Sequence, residues 1–219
     1  MKTVLIESTQ IGASASSLKV DGTLVVIPVI DLEMGKRAAT LAASRANAQG
    51  LVLVVMDSAR MGLVKIHNQV FSHSKSTYYA YLAQDAYVGR DWLSLALEAL
   101  NRERAAGSSN AGLLGFNDGK WQGQLAAFGL ARREWVNEVY GGSFFFEGYS
   151  SHYADTELTL IAREQGRYVY EPNAVVVEVD WDKDTRASTN VQDKQLFKAR
   201  AQQGFGGRVL SPVLRGLFS

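Results

Sequence analysis

The amino-acid sequence predicts an α/β fold on a mostly parallel central sheet, and three observations predict it. Two apolar runs, TLVVIPVID at 23–31 and LVLVVMD at 51–57, are continuous rather than alternating, as in strands covered on both faces. Between them, LEMGKRAATLAASRANAQ (32–49) is rich in alanine and straight-chain residues and is closed by Gly50, so a helix joins two strands in a βαβ unit. Finally, each strand end delivers polar residues: Asp31 after the first, Asp57 after the second and Gln84-Asp85 after a third. Open α/β sheets take their ligands at the carboxyl ends of strands.

The remaining elements follow in order. STYYAYLAQD (76–85) reads as the third strand and RDWLSLALEALNRE (90–103) as the next helix, so the first half has the look of a Rossmann-like nucleotide-binding half-domain. Past residue 110, AGLLGFNDGKW and GQLAAFGLARREW carry glycines and aromatics inside short apolar runs, which suits a smaller antiparallel part. GGSFFFEGY leads into an amphipathic helix over about 155–165, and RYVYEPNAVVVEVDW (167–181) is a strong strand. DKDTRASTNVQD (182–193) is polar and reads as a mobile loop. We expect one domain at 1–193, with its core at 23–181, and a basic amphipathic tail at 194–219.

Composition narrows the function classes. The 219 residues can bury a substantial core, and 47% hydrophobic with 21% charged residues is ordinary for a globular chain. A formal net charge of +1 makes no case for a nucleic-acid partner. With no cysteine there are no disulfides and no thiolate metal sites, which fits a reducing compartment. MKTVLIESTQ lacks the long apolar core of a secretory signal, and no stretch nears the ~20 apolar residues that span a bilayer. The expectation is a cytoplasmic protein, with the inner membrane face open to it.

Six segments, taken in order, resemble the family-two nucleotide-sugar glycosyltransferases with the GT-A fold. VVIPVID is similar to the family's opening strand, LVLVVMDSARMG to its second strand with an Asp-Asp-Gly-Ser-type ending, and HNQVF to the Arg-Asn-x-Gly that follows. YAYLAQDAYVGRDWL resembles the third strand with its Asp-x-Asp-type metal motif, and GLARREWVNEVYGGSFF the segment ending in Gly-Gly-Phe. HYADTELTLIAREQGRYVYEPNAVVV is similar to the Glu-Asp-x-Asp/Glu-Leu helix and closing strand. The resemblance covers roughly residues 23 to 181. Two departures stand out. The metal motif reads Ala83-Gln84-Asp85, keeping only its last carboxylate, and Ala154 stands where a glutamate precedes the catalytic aspartate.

The resemblance implies an inverting transfer of a sugar from a nucleotide diphosphate, a UDP-sugar foremost, to a hydroxyl on a glycan or lipid-linked acceptor, in bacterial surface polysaccharide assembly. That chemistry needs a cation on the leaving diphosphate, an acceptor held in line and a carboxylate to take its proton. Asp155 is the implied general base. From the segment alone it reads rather as a helix cap, with Glu157 complementing the dipole, and it is the six motifs in family order that turn the reading to a base. Asp85 is the implied ligand of Mn²⁺ or Mg²⁺, with Glu178 and Asp180 where the family often has a metal-binding histidine; hard cations accept such oxygens. Pro28, Asp31, Asp57, Asn68 and Gln84 are candidates for the nucleotide sugar, each with turn chemistry as the plain alternative. Trp121, Asp118 and His152 are candidates for the acceptor; Trp121 has a ring for a sugar face but suits a core as well.

The tail interleaves Lys194, Lys198, Arg200, Arg208 and Arg215 with Phe197, Phe205, Leu210, Leu214 and Phe218, a pattern that rests on an anionic membrane or packs back on the domain. Two other functions remain open. A catalytically silent nucleotide- or sugar-binding subunit fits the incomplete metal motif. A nucleotidyltransferase would want a glycine- and lysine-rich loop after the first strand, where this chain has IDLEMGKRA.

Overall fold

The computed structural model describes residues 1–105, 111–179 and 190–218. An eight-stranded sheet runs in the order β1-β3-β2-β4-β7-β6-β8-β5. Its strands are β1 (Lys2–Glu7), β2 (Thr23–Val29), β3 (Gly50–Met56), β4 (Tyr78–Tyr81), β5 (Ala86–Val88), β6 (Leu113–Asn117), β7 (Gly129–Arg132) and β8 (Tyr168–Glu178). β1, β3, β2 and β4 are mutually parallel, whereas β7 runs antiparallel to both β4 and β6. The expected α/β architecture, a parallel sheet with a smaller antiparallel part, is the one observed.

Helices cover both faces. α1 (Leu32–Ser44) and α3 (Trp92–Ala105) pack on one side, burying Ala38, Ala39 and Ala42 with Trp92, Leu93 and Leu100 against Val25, Ile27 and Val54. The other side carries α2 (Leu63–His73), α4 (Arg133–Tyr140), α5 (Ala154–Glu164) and α6 (Val191–Gln202). Alternation explains the continuous apolar runs: in β2, Leu24 and Val26 face one core while Val25, Ile27 and Val29 face the other.

Several elements depart from the sequence expectations. The N-terminal TVLIE is the edge strand β1, in register with β3 from Lys2↔Leu51 to Glu7↔Met56. α1 ends at Ser44, five residues short of the expected end, and the chain then passes through Asn47 at φ 45°. ARREW, expected as strand, turns into α4 at Arg133, because Trp135, Val136 and Val139 form a helical stripe. α2 has no matching sequence expectation: its buried face includes His67, which hides the apolar period. β8 holds Pro172 at an irregularity, where Phe116 pairs with Glu171 and Asn117 with Val175, and Asn117 Nδ2 donates to the Pro172 carbonyl.

The end of the polar stretch expected as a loop is helical: Asn190 caps α6, its side chain accepting from Gln192 N and Asp193 N. Beyond α6, Gly204–Gly207 (α7) and Pro212–Gly216 (α8) complete the described chain. Phe197, Phe205 and Val209 are buried in the same core as α5. Among the described residues no helix is long and apolar enough to cross a membrane.

Candidate active site

The carboxyl edge of the sheet is organised by backbone capture. Asp31 caps α1, its Oδ1 accepting from Glu33 N (2.9 Å) and Met34 N (3.0 Å). Gln84 reaches across from the end of β4, its Oε1 accepting from Ile30 N (2.8 Å) and Asp31 N (3.0 Å). One amide oxygen thereby fixes the turn between β2 and α1. Gly35 lets α1 settle there, since a Cβ would meet Val29 Cγ1 at 2.4 Å. Ile30, between these turns, is 56% exposed. Pro28 is half-buried on β2 opposite Val55.

Asp57 follows β3 and is buried, with Oδ1 accepting from Met61 N (2.8 Å) and Oδ2 from Gly62 N (2.9 Å). Both oxygens hold the β3–α2 loop. Asn68 is likewise engaged with the protein: Oδ1 accepts from Phe144 N and Phe145 N, and Nδ2 donates to the Phe145 carbonyl. The structure thus gives these two expected nucleotide-contact residues loop-holding tasks.

Asp85 lies in the turn before β5 and is buried, its carbonyl accepting from Val179 N. Glu178 sits one rung away, opposite Ala86, and is exposed. Asp180 lies outside the described residues. Among the described residues no group of three or more metal-capable side chains converges. The donors present do not make a protein-only cage. A Mg²⁺-like cation held chiefly by a diphosphate asks only one or two carboxylates of a protein.

The pair Asp155 and Glu157 has split roles. Asp155 is in the first turn of α5 but is not its cap: that position is Tyr153, in the left-handed region at φ 68°, ψ −5°. Oδ1 of Asp155 accepts from Thr156 N (2.8 Å) and Thr156 Oγ1 (3.3 Å). Burial lifts its carboxyl to about 6, against the opposing pull of the Thr156 hydrogen bonds. Its charge in turn helps to push the Tyr81 phenol upward, after burial itself. Tyr81 closes β4, and its hydroxyl donates to the Ala126 carbonyl (2.5 Å), while Ala126 N donates to Thr159 Oγ1 on α5 (3.2 Å). The end of β4 and the middle of α5 are therefore joined through Ala126.

Glu157 does not serve the helix dipole in the open. It is fully buried and takes Arg200 Nε (2.6 Å) and Nη2 (2.7 Å), Tyr140 OH (3.1 Å) and Tyr149 OH (2.9 Å). The guanidinium of Arg200 lies over the Phe146 ring, 3.3 Å from its centroid. Burial works against the Arg200 charge, and the Glu157 carboxylate outweighs it, raising its pKa.

The expected acceptor residues fall in two places. Asp118 turns the loop after β6, accepting from Lys120 N and Trp121 N, and the Trp121 ring meets Phe218 edge-on at 5.7 Å. His152 lies just before Asp155; its backbone N–H donates to Asp193 Oδ2 (2.8 Å), and its buried Nδ1 has no hydrogen-bond partner. Two shallow surface depressions lie away from this edge, one at Lys198, Gln202 and Arg215, the other at Asn47, Glu98 and Asn101. Tyr153, Asp193 and Arg200 were missed as members of this neighbourhood. Asn190-x-x-Asp193 is a helix-start signature that was available in the sequence.

No family model and no curated protein sequence matches the chain. Solved structures do. The S. aureus TarS 1-349 complex with UDP-GlcNAc aligns at a TM-score of 0.58 and 12% identity, over 83% of this chain and 66% of that one. The Pyrobaculum calidifontis mannosyltransferase PcManGT, in complex with GDP-Man and Mn²⁺, gives 0.53 and 14%, over 82% and 61%. Mycobacterium tuberculosis glucosyl-3-phosphoglycerate synthase, with Mn²⁺, UDP and glucosyl-3-phosphoglycerate, gives 0.53 and 11%, over 93% and 87%. The chain thus has the GT-A fold of nucleotide-sugar glycosyltransferases. It spans under two thirds of the length of the mannosyltransferase and of TarS 1-349 with UDP-GlcNAc.

Proposed function

We propose that the chain is a glycosyltransferase that moves a sugar from a nucleotide diphosphate, a UDP-sugar foremost, to a hydroxyl acceptor with inversion. The observation that carries this is Asp155, a carboxylate raised by burial to about 6 at the start of a helix tied to the sheet's carboxyl edge. A base with that pKa is ionised near neutrality and basic enough to accept a proton. Three structures sharing the fold were solved with a nucleotide or nucleotide sugar, two of them with Mn²⁺, which supports the donor class.

In this reading the β2–α1 turn held by Gln84, with exposed Ile30, receives the nucleotide. Asp155 removes the proton of the acceptor hydroxyl as its oxygen bonds to the anomeric carbon. The bond to the diphosphate oxygen breaks on the opposite face, and its electron pair leaves with the nucleotide. Asp85, with Glu178 beside it, would hold a divalent cation that neutralises the departing diphosphate. His152, Asp118 and Trp121 are proposed to meet a glycan or lipid-linked acceptor of a surface polysaccharide. A cytoplasmic setting, with Leu210 and Val213 exposed beside Arg208 and Arg215 for contact with the inner membrane face, completes the proposal.

A silent binding subunit is the second reading, favoured by Ala83 at the first place of the metal motif. Calorimetric titration with UDP, GDP, CMP and dTDP, with and without Mn²⁺, tests the site. Metal-dependent binding of one nucleotide, weakened by Asp85→Ala, is expected; binding of none would sink the reading. Turnover lost in Asp155→Asn with nucleotide binding intact separates the enzyme from the silent subunit.

A further inference from the structure

One face of α6 is turned to the segment that presents Asp155. Asp193, Phe197 and Arg200, spaced i, i+4, i+7, share that face. Asp193 is 2% exposed and accepts four hydrogen bonds: from Ser150 N (3.0 Å), Ser150 Oγ (3.0 Å), Ser151 N (2.9 Å) and His152 N (2.8 Å). Phe197 stacks on Tyr153, with centroids 4.8 Å apart and planes at 27°. Arg200 holds Glu157 through two short charge-assisted bonds. The residues gripped, 150–153 and 157, bracket Asp155 on both sides.

The grip falls where the backbone needs one. Tyr153 has φ 68°, ψ −5°, a conformation that a bulky L-residue keeps only when its surroundings impose it. One carboxylate gathering three consecutive N–H groups just upstream is such an imposition. Burial opposes the charge on Asp193, and these hydrogen bonds outweigh it, keeping its carboxyl below the usual range.

Building on Asp155 as the base, we propose that Asp193 is a positioning residue, through which α6 straps the turn before α5 into the conformation that presents the Asp155 carboxylate to the acceptor. Tyr81 on β4 is the titratable group coupled to Asp155, and it lies outside the strap.

The test compares wild type, Asp193→Ala and the solvent-facing control Lys194→Ala in the full chain. The Asp155 carboxyl is followed by ¹³C NMR across pH and assigned with Asp155→Asn, and kcat and donor KM are measured alongside. In Asp193→Ala the Asp155 titration should fall by at least about half a pH unit toward the ordinary value, as the released turn admits water. kcat should drop about tenfold or more with donor KM unchanged, as expected of a misplaced reacting group. Lys194→Ala should match wild type.

An Asp155 titration unmoved in Asp193→Ala overturns the strap, as does an unchanged kcat in the folded variant. If Asp193→Ala does not fold, Asp193→Asn, which keeps one acceptor oxygen, is read in the same way. A wild type that transfers from no nucleotide sugar refutes the glycosyltransferase reading instead, and the carboxyl titration then still decides the strap.

Discussion

Replacing Asp155 by asparagine should stabilise the protein while removing its activity, and the stabilisation should depend on pH. The carboxyl stands at 3.8 in the unfolded chain and is lifted by burial to about 6 in the fold. A raised carboxyl favours folding when protonated, so its contribution is present at low pH and is lost as pH rises from about 4 through 6. Above that window the fold carries a charge that it disfavours by up to about 3 kcal/mol, from 1.36 kcal/mol for each pH unit of displacement. Asparagine keeps an oxygen for the Thr156 N–H and never ionises. The variant should gain up to about 3 kcal/mol at pH 8 and roughly half of that at pH 5. At about 2–4 °C per kcal/mol for a chain of this size, the full gain would raise Tm by about 6–12 °C at pH 8 and half of it by about 3–6 °C at pH 5. Thermal unfolding of both proteins at the two pH values measures it. A gain equal at pH 5 and 8, or a loss at pH 8, would refute a carboxyl raised on folding at the half-buried Asp155. Wild-type kcat/KM should fall about tenfold for each pH unit below 6, because only the ionised carboxylate can accept the proton.

Three further outcomes are expected. Glu157→Gln leaves the half-buried Arg200 without its carboxylate and should cost about 1.5–3 kcal/mol in urea unfolding, while Glu157→Leu with Arg200→Met should recover most of it. Gln84→Ala frees Ile30 N and Asp31 N and should weaken nucleotide binding about tenfold by calorimetry, whereas Gln84→Glu, which still accepts both, should not; equal affinities would separate this turn from the nucleotide site. Asp57→Asn points an amide N–H at Met61 N or Gly62 N and should destabilise by about 1–3 kcal/mol in chemical denaturation, with α2 unfolding first by hydrogen exchange.

The parallel sheet was legible because its signal is local: β2 and β3 are buried on both faces, and only unbroken apolar runs satisfy that requirement. The order of six weak motifs, read by resemblance, pointed to the GT-A fold, which the solved structures share. The elements that were missed carry weaker local signals. β1 is six residues directly after Met1, β5 has three residues, and α2 buries a histidine in its apolar stripe.

Side-chain tasks were a different matter. Nothing between residues 150 and 166 distinguishes Asp155 from Glu157, yet one carboxylate is raised by burial beside β4 and the other is neutralised by Arg200, 43 residues on. Asp193 lay in a stretch that read as a loop, and only the packing of α6 against α5 shows it gathering the backbone of residues 150–152. Periodicity and propensity act over a turn or two of chain, so the sequence alone determined the α/β class and its strongest elements, β2, β3 and the helix between them. Burial and ion pairing are set by residues far apart in the chain, so tertiary structure decided which carboxyl is raised, which carboxylate is paired with Arg200, and what fixes the turn before α5.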